Sequence, residues 1–445
     1  MIERGLDVLS KAEKAIRAYT LCDNCLGRLF ASLGFGLTNK ERGFALKTVL
    51  LMAAYAYPQG IVDREIVVKL AETGFKPALA IAEKASLSIQ PKKCYICEGA
   101  LEELDELAAM VVRALSEYEY ETFLIGCSFP QDMIRREETL WRVLGVDTGE
   151  LLKSEITREV GKRVQRITGK TYEPSNPDIV AIIDLAERKV RVEPSPLFIY
   201  GRYRKLVRGL PQTPWPESSG EEPSIQELIV RPIVEAAKAE DALFHAAGRE
   251  DVDVRTLGRG RPFIVEVRRP RKRKLDLKRL EAEINERAKG MVEVEGLRYT
   301  VRDMVSKIKA FAEIARKTYR ARVVFKEPVE ESDARKLEEY FKKVQIKQRT
   351  PIRVLHRRRD KVRVKTVYSV KAEKAGDREL VLTIECQGGL YVKEFIHGDS
   401  GRTTPSVAEV LGKDVESISL DIIDIEEYLG SGSGETKGDN RTARH

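Results

Sequence analysis

The sequence predicts an α+β protein built from two bodies, and three observations lead to this prediction. The chain has 445 residues, which suggests several folded units at about 100–200 residues per domain. Helical spacing of apolar residues near the N-terminus changes to alternating strand and helix patterns from about residue 116. A segment rich in proline, serine and glycine, residues 211–223, then separates this half from a second body of mixed strands and helices.

The N-terminal region is predicted to be helical. Apolar residues within 6–19, 41–57 and 63–70 recur with helical spacing. The most apolar stretch, residues 49–57, is far shorter than the roughly 20 apolar residues that a membrane span needs. We therefore expect a core helix there, and a soluble, cytoplasmic protein with no membrane partner.

The next part of the chain is predicted to be a compact α/β module, and an amphipathic helix at residues 225–237 opens the second body. The last residues, 430–445, are polar and glycine-rich, so we expect a flexible tail. The elements predicted in the α/β module are strands at residues 122–129, 178–185 and 189–192 and a helix at residues 150–168.

Four of the six cysteines form two C-x-x-C pairs, which are Cys22 with Cys25 and Cys94 with Cys97. Each pair can place two thiolates on one cation, and two pairs complete a tetrahedral site of the structural zinc type. The alternatives are redox pairs or ordinary buried thiols, but neither pair opens a helix within a βαβ unit. We predict a structural zinc site at these four cysteines, and plain core positions for Cys127 and Cys386.

The net charge of +8 is mild for this length, but the positive charge is concentrated. Residues 255–274 contain nine basic residues and one acidic residue, and residues 342–365 contain eleven basic residues and one acidic residue. A third cluster, residues 202–208, has Tyr203 interleaved among its cations. Such runs favour binding to a phosphate backbone, and a solvated protein surface is the alternative for any single run.

Several nucleotide and metal motifs fail. Gly169-Lys170-Thr171 resembles the end of a phosphate-binding loop, but the earlier glycine that this loop requires is replaced by Val164 within a predicted helix. The four histidines form no H-E-x-x-H pattern, and no G-x-S-x-G elbow occurs. We therefore expect the chemistry to depend on carboxylates, hydroxyls and amines.

The run from Gly248 to Arg255 (GREDVDVR) is unusual, because a glycine leads into a dense group of acids flanked by arginines. We expect it to follow the end of an alanine-rich helix and to form a strand, on which Asp251 and Asp253 share one face. Read by itself, the run also fits a surface turn with local ion pairs.

Residues 248–263 (GREDVDVRTLGRGRPF) resemble the catalytic motif of archaeal tRNA pseudouridine synthases that carry a THUMP region, and the G-R-x-D core is similar to that of the TruA family. Residues 315–321 (ARKTYRA) resemble their K-x-Y motif, and residues 386–406 resemble a later motif with an aromatic and a basic residue. Residues 349–359 (RTPIRVLHRRR) look like an RNA-gripping thumb loop, and residues 201–215 resemble a boundary segment.

This resemblance refines the predicted fold. It implies an α+β protein in which a zinc-bound helical region and a THUMP-like α/β module precede a pseudouridine synthase catalytic domain with a mixed, mainly antiparallel sheet. The boundaries that we expect are 1–104 for the helical zinc region, 105–210 for the THUMP-like module, 211–224 for the linker, 225–429 for the catalytic domain and 430–445 for the tail.

The resemblance also assigns roles to residues. It implies that Asp251 is the nucleophile, that Lys393 is its basic partner, and that Asp253 is structural. Lysine is a point charge, so the bidentate geometry of an arginine is not implied at Lys393. Tyr319 matches the aromatic that stacks on the target base, and Tyr391 is a second candidate contact, although both fit core positions as well. Whether Asp251 engages the ribose or the base stays open.

The implied function is the isomerisation of uridine to pseudouridine at positions 54 and 55 of the tRNA T-loop. It needs tRNA but no catalytic cofactor and no obligate protein partner. One alternative is another THUMP-containing tRNA modification enzyme, which would need a methyl-donor or ATP loop that the sequence does not offer. The other is a non-catalytic tRNA-binding protein, which would bind tRNA without isomerising it.

Overall fold

The chain divides into two compact units, Met1–Ser195 and Pro196–His445. The computed structural model describes residues 2–56, 58–214, 223–356 and 358–427, with side chains from residue 7 onwards. Both units combine helices and strands, and the sheets include parallel and antiparallel pairs. The predicted α+β class is therefore confirmed.

The first unit begins with a helical region, whose buried apolar side chains belong to one core that includes the rest of the unit. A capping box between Thr38 and Glu41 starts the third helix, because each residue satisfies a backbone N–H of the other. The helix ends at Ala54, three residues before the predicted end, since Tyr55 pairs with Ile61. The elements are α1 (Ile2–Ala18), α2 (Asp23–Gly27), α3 (Asn39–Ala54), β1 (Tyr55–Ala56), β2 (Gly60–Ile61), α4 (Arg64–Glu72) and α5 (Lys76–Lys84).

The rest of the first unit is the predicted α/β module. Its elements are α6 (Leu104–Leu115), β3 (Thr122–Ser128), α7 (Gln131–Leu144), α8 (Leu152–Thr168), β4 (Thr171–Tyr172), β5 (Ile179–Asp184) and β6 (Lys189–Pro194). The sheet has the order β4-β3-β5-β6, in which β3 is parallel to β4 and β5, and β6 is antiparallel to β5. Alternate residues of β3 and β5 are buried, as the strand patterns predict.

The second unit is built on a ten-stranded sheet. The predicted helix at residues 225–237 is present with the same bounds, and a capping box between Ser224 and Glu227 begins it. The elements are β7 (Leu197–Lys205), α9 (Ile225–Ala237), β8 (Asp241–Ala246), β9 (Arg255–Arg268), α10 (Leu277–Arg287), β10 (Val292–Thr300), α11 (Asp303–Ile314), β11 (Arg316–Phe325), α12 (Glu331–Tyr340), β12 (Val344–Arg349), β13 (Val362–Gly376), β14 (Glu379–Gln387), α13 (Val392–His397), β15 (Thr403–Thr404), α14 (Val407–Leu411) and β16 (Val415–Ile425).

The strand order of this sheet is β10-β7-β9-β16-β11-β14-β13-β12-β15, and β8 also pairs with β9. Among the described strands of this sheet, only β9 and β16 pair in parallel, so the sheet is mixed and mainly antiparallel, as predicted. The last of the described strands, β16, lies between β9 and β11 in the interior of the sheet. Separate apolar clusters form the cores on the β11–β14 side and the β7–β9 side.

The boundary between the units differs from the predicted one. The sequence assigns residues up to 210 to the THUMP-like module, but β7 pairs with β9 and β10 of the second unit, because its apolar side chains complete that unit's core. The predicted linker begins with ordered residues, since Ile225 N–H donates to the Pro211 carbonyl and Gln212 is buried. Residues 215–222 and the predicted tail lie outside the described residues. The other predicted boundaries stay predictions.

Two further expectations are wrong. Strand β8, not an alanine-rich helix, precedes Gly248, and residues 251–254 form a turn rather than a strand. Asp251 and Asp253 therefore do not lie on one face of a strand. The structure also tests the membrane expectation: among the described residues, no helix has the length and apolar character of a membrane span.

Candidate active site

Asp251 lies in a turn between β8 and β9, which we call the Asp251 turn (residues 247–253). Gly248 opens it with a φ of +92°, and a Cβ there would lie 2.9 Å from Arg261 Nη1, so only glycine suits this position. The Val254 N–H donates to the Asp251 carbonyl at 3.0 Å and closes the turn. The turn leaves the Asp251 carboxylate 38% exposed.

The turn opens onto a cavity of about 350 Å³, within the usual size range of ligand pockets. The four residues that the sequence singles out, Asp251, Tyr319, Tyr391 and Lys393, all line it. Tyr319 comes from β11, while Tyr391 and Lys393 come from the start of α13. Apolar residues also line it, and they are Val252, Val254, Val354, Leu390, Val392, Leu420 and Ile422.

Two cations contact the Asp251 carboxylate. Arg353 Nη1 donates to Asp251 Oδ1 at 3.1 Å, and Lys393 Nζ lies 3.5 Å from Asp251 Oδ2. The lysine is closer to Asp253, to which it donates at 2.7 and 2.8 Å. Burial of Asp253 opposes its ionisation, but the hydrogen bond and charge of Lys393 outweigh burial and lower the pKa of this carboxyl. Lys393 therefore holds two carboxylates rather than Asp251 alone.

Arg353 is a site residue that sequence reasoning missed. Its Nε donates to Glu394 Oε1 at 2.6 Å, and the Glu394 side chain is only 2% exposed. Glu394 therefore anchors the guanidinium from one side while Asp251 accepts from the other. The sequence offered one signal, because Arg353 lies in the segment that resembles a thumb loop.

The two tyrosines differ in their surroundings. Burial raises the pKa of Tyr319 well above its usual value, so its hydroxyl stays protonated and neutral. Tyr391 accepts a hydrogen bond from Arg358 Nη1 at 3.0 Å. Its backbone is fixed by the buried side chain of Gln348, which accepts from the Tyr391 N–H at 2.9 Å and donates to the Tyr391 carbonyl at 3.0 Å. Both tyrosines line the cavity, and only 9% of the surface of Tyr319 is exposed.

The four paired cysteines of the first unit come together. Their sulfur atoms lie within 4.8 Å of one another, and the sulfurs of Cys22 and Cys97 are 3.7 Å apart. Thiolates about 2.3 Å from a tetrahedral zinc ion would lie about 3.8 Å apart, so the cluster fits a four-thiolate metal site. Cys127 and Cys386 are buried in β3 and β14, as the sequence predicts for core residues.

The basic clusters have different surroundings. In residues 202–208, Arg202, Tyr203 and Lys205 are buried, so the prediction of an RNA-binding cluster is wrong for them. In residues 255–274, Arg261 is also buried, where it pairs with Glu250 at 2.7 Å. The described cations of residues 342–365 lie on the surface or are half-buried.

Comparison with known proteins gives the family. A family model described as "Pus10, C-terminal" matches residues 198–426, and one described as "Pus10 THUMP domain, archaeal" matches residues 107–184. A relative from Thermofilum pendens, named "tRNA pseudouridine synthase Pus10", is 49% identical over 94% of this chain and 96% of its own length. The chain belongs to the Pus10 family of tRNA pseudouridine synthases, which are isomerases.

Other Pus10 relatives agree with this assignment. The protein of the same name from Methanothrix thermoacetophila is 42% identical over 94% of both chains, and that from Pyrococcus furiosus is 40% identical over 94% of this chain and 98% of its own length. A chain in a solved Cbf5-Nop10-Gar1 complex matches with a TM-score of 0.30 and 17% identity over 51% of this chain and 48% of its own length, which is too weak to support a conclusion.

Proposed function

We propose that the chain converts uridine to pseudouridine at positions 54 and 55 of the tRNA T-loop, with Asp251 as the nucleophile. The supporting observation is the cavity, which Tyr319 lines and in which the Asp251 carboxylate contacts Arg353 and Lys393. Such a site favours nucleic acid as a partner, because Arg353 and Arg358 from the basic run of residues 342–365 line the cavity. The proposed place of action is the cytoplasm.

The reaction is an isomerisation, so atoms balance without a co-reactant. The bond between N1 of uracil and C1′ of ribose breaks, a bond from C5 to C1′ forms, and the proton of C5 is exchanged for one on N1. A carboxylate can assist as a covalent partner. Arg353 and Lys393 contact the Asp251 carboxylate and compensate its negative charge. The target base must leave the RNA stack, which costs a few kcal/mol that stacking on Tyr319 or Tyr391 can offset.

The role of Asp251 is tested with tRNA that carries 5-tritiated uridine. Asp251→Asn is expected to abolish tritium release, because an amide is a poor nucleophile. Asp253→Asn is the matched control, since it removes a neighbouring carboxylate that also contacts Lys393 but does not line the cavity. Normal release by Asp251→Asn would exclude the proposed role.

The T-loop positions need a separate measurement. Unmodified tRNA transcripts are incubated with the purified protein, and pseudouridines are mapped by chemical labelling and primer extension. We expect stops that correspond to positions 54 and 55. Pseudouridine confined to other positions would refute the T-loop assignment while leaving the isomerase activity intact.

We also propose that Cys22, Cys25, Cys94 and Cys97 bind a structural zinc ion. The donor set and the sulfur spacing fit zinc, which would tie the start of α2 to residues 94–97. The double variant Cys22→Ser/Cys94→Ser is expected to lose bound metal in elemental analysis. Cys127→Ser is the control, because it removes a buried thiol of the same unit outside the cluster. A double variant with full metal content would contradict the proposal.

A further inference from the structure

The carbonyl oxygens of the Asp251 turn are held by long polar side chains from outside the turn. Five of them accept hydrogen bonds in this way. The bonds run from Arg261 Nη1 to Ala247 O (2.8 Å), from Gln212 Nε2 to Gly248 O (3.0 Å), from Lys205 Nζ to Asp251 O (3.2 Å) and Val252 O (2.6 Å), and from Arg208 Nη1 to Asp253 O (2.6 Å).

Lys205 is the centre of this arrangement. It is the last residue of β7, its relative exposure is 0%, and its amine bonds to the two carbonyls at and after the nucleophile. Burying an ammonium group costs several kcal/mol unless it is well hydrogen-bonded. Here the acceptors belong to the Asp251 turn, so the position of the lysine and the conformation of the turn depend on each other.

Few other hydrogen bonds within the described residues hold the backbone of the Asp251 turn in place. Residues 251–254 lie outside any strand, so no sheet ladder fixes their peptide planes. The Gly209 N–H donates to the Val252 carbonyl at 2.9 Å, which ties the turn to the same segment that carries Lys205 and Arg208. Rotation of either peptide would move the Asp251 carboxylate within the cavity, and a shift of about 1 Å can cost about 100-fold in rate.

We propose that Lys205, supported by Arg208, is a positioning residue that fixes the Asp251 turn and thereby aims the Asp251 carboxylate. This inference rests on the proposed role of Asp251. Neither side chain is among the residues that line the cavity in the described part of the chain, so both act through the backbone of the turn. A buried ammonium cannot reach a phosphate, which separates this role from the RNA-binding role that the basic composition of the segment suggests.

The test compares Lys205→Met with Arg202→Met. Arg202 is the matched control, because it lies on the same strand and is also buried, but it donates to the carbonyls of Gly260 and Ile425 instead of the Asp251 turn. Three quantities are measured for each variant: the single-turnover rate at saturating enzyme, the Kd for tRNA, and the dependence of that Kd on salt. Thermal unfolding reports the stability of each protein.

A positioning role predicts that Lys205→Met lowers the saturating rate by about 10- to 100-fold, with an unchanged Kd and salt dependence, and that Arg202→Met keeps the rate. A normal saturating rate in Lys205→Met would overturn it, and two more specific results would do so as well. One is a weaker Kd with a smaller salt slope and a normal saturating rate, which is the signature of a lost phosphate contact. The other is an equal loss of rate in Lys205→Met and Arg202→Met.

If Lys205→Met does not fold, Arg208→Met provides the test. Arg208 is 35% exposed, so its replacement is tolerated more easily, and we expect a loss of about 10-fold in the saturating rate with an unchanged Kd. An unchanged rate in this variant would count against the proposal. Asp251→Asn is assayed in parallel: an active Asp251→Asn refutes the proposed nucleophile, whereas an inactive Asp251→Asn with a normal Lys205→Met refutes only the positioning role.

Discussion

Two arginine- and lysine-rich segments of the second unit use their charge in opposite ways. The inner segment, residues 202–208, directs its cations at backbone carbonyls and carboxylates of its own unit. The outer segment, residues 349–363, links β12 to β13, and Arg349, Arg358, Arg359 and Lys361 are exposed. Similar compositions therefore produce an internal scaffold in one place and a surface suited to a polyanion in the other.

The difference follows from the position of each segment in the sheet. Strand β7 lies between β9 and β10 and carries much of the inner segment, so its long side chains meet protein acceptors rather than water. The outer segment is a connection near the end of the sheet, where Arg349, Arg358, Arg359 and Lys361 are exposed to solvent. Charge density in a sequence thus identifies a partner only when the strand order is known.

The largest effect is expected where a cation is fully buried, as Lys205 of the inner segment and Arg261 of the adjacent strand β9 are. Arg261→Met should lower the free energy of unfolding by about 3–5 kcal/mol, because it leaves the Glu250 carboxylate buried without its partner. Arg259→Met, two residues earlier, should cost less than about 1 kcal/mol, since the pair of Arg259 with Asp424 is exposed. Chemical denaturation measures both. Equal losses would mean that burial does not decide how much each of these two cations contributes to stability.

A pH-dependent effect is expected at Lys317, a buried cation of β11. Burial, assisted by the charge of Arg261, lowers the pKa of Lys317 from 10.5 to about 8. Between these values the unfolded chain binds more protons than the folded one, so stability rises from pH 8 to pH 10.5. The gain amounts to about 3 kcal/mol. Lys317→Met should lack this gain. The free energy of unfolding of both proteins is measured from pH 8 to pH 10.5, and the same pH dependence in both would contradict the prediction.

A moderate effect is expected at Arg353, which belongs to the outer segment but behaves like an inner cation. Arg353→Met should lower the saturating rate about 30-fold, equivalent to about 2 kcal/mol, because Asp251 loses a charge-assisted hydrogen bond. Arg359→Met is the control from the same loop, and its saturating rate should stay normal. Single-turnover kinetics decide the matter, and equal rates in the two variants would place Arg353 with the other surface cations.

The smallest effect is expected for single surface cations. Lys361→Met should weaken tRNA binding by about 1 kcal/mol at low salt and reduce the slope of log Kd against log salt by about 1. Arg202→Met should leave the slope unchanged, because a buried guanidinium releases no counterion. Filter binding over a range of salt concentrations compares them. A reduced slope in Arg202→Met would mean that the inner segment contacts RNA.

Sequence reasoning succeeded where the signal is local. Helix α9 has its predicted bounds because a capping box and an amphipathic pattern specify them together. The C-x-x-C spacing selected the four cysteines that cluster, and motif resemblance selected residues that line one cavity. These features depend on neighbours within a few residues or on an entire matched motif.

The features that sequence reasoning missed depend on contacts between residues that are distant in the sequence. Arg353 contacts Asp251 across 102 residues, and Lys205 contacts the Asp251 carbonyl across 46, so neither pairing has a local pattern. The sequence predicts a strand instead of the Asp251 turn, because Asp251 and Asp253 have the two-residue spacing of one face of a strand. The inner segment was mistaken for an RNA surface because composition does not reveal which strands cover β7.

Strand β16 has a consequence for biosynthesis. It inserts between β9 and β11 and supplies Leu420 and Ile422 to the cavity, while the Leu420 carbonyl accepts from Arg208. Until residue 425 has left the ribosome, the sheet is split into two parts and the cavity lacks one wall. A nascent chain that already displays its basic outer segment can attract tRNA, but it acquires a complete site only after translation has passed this strand.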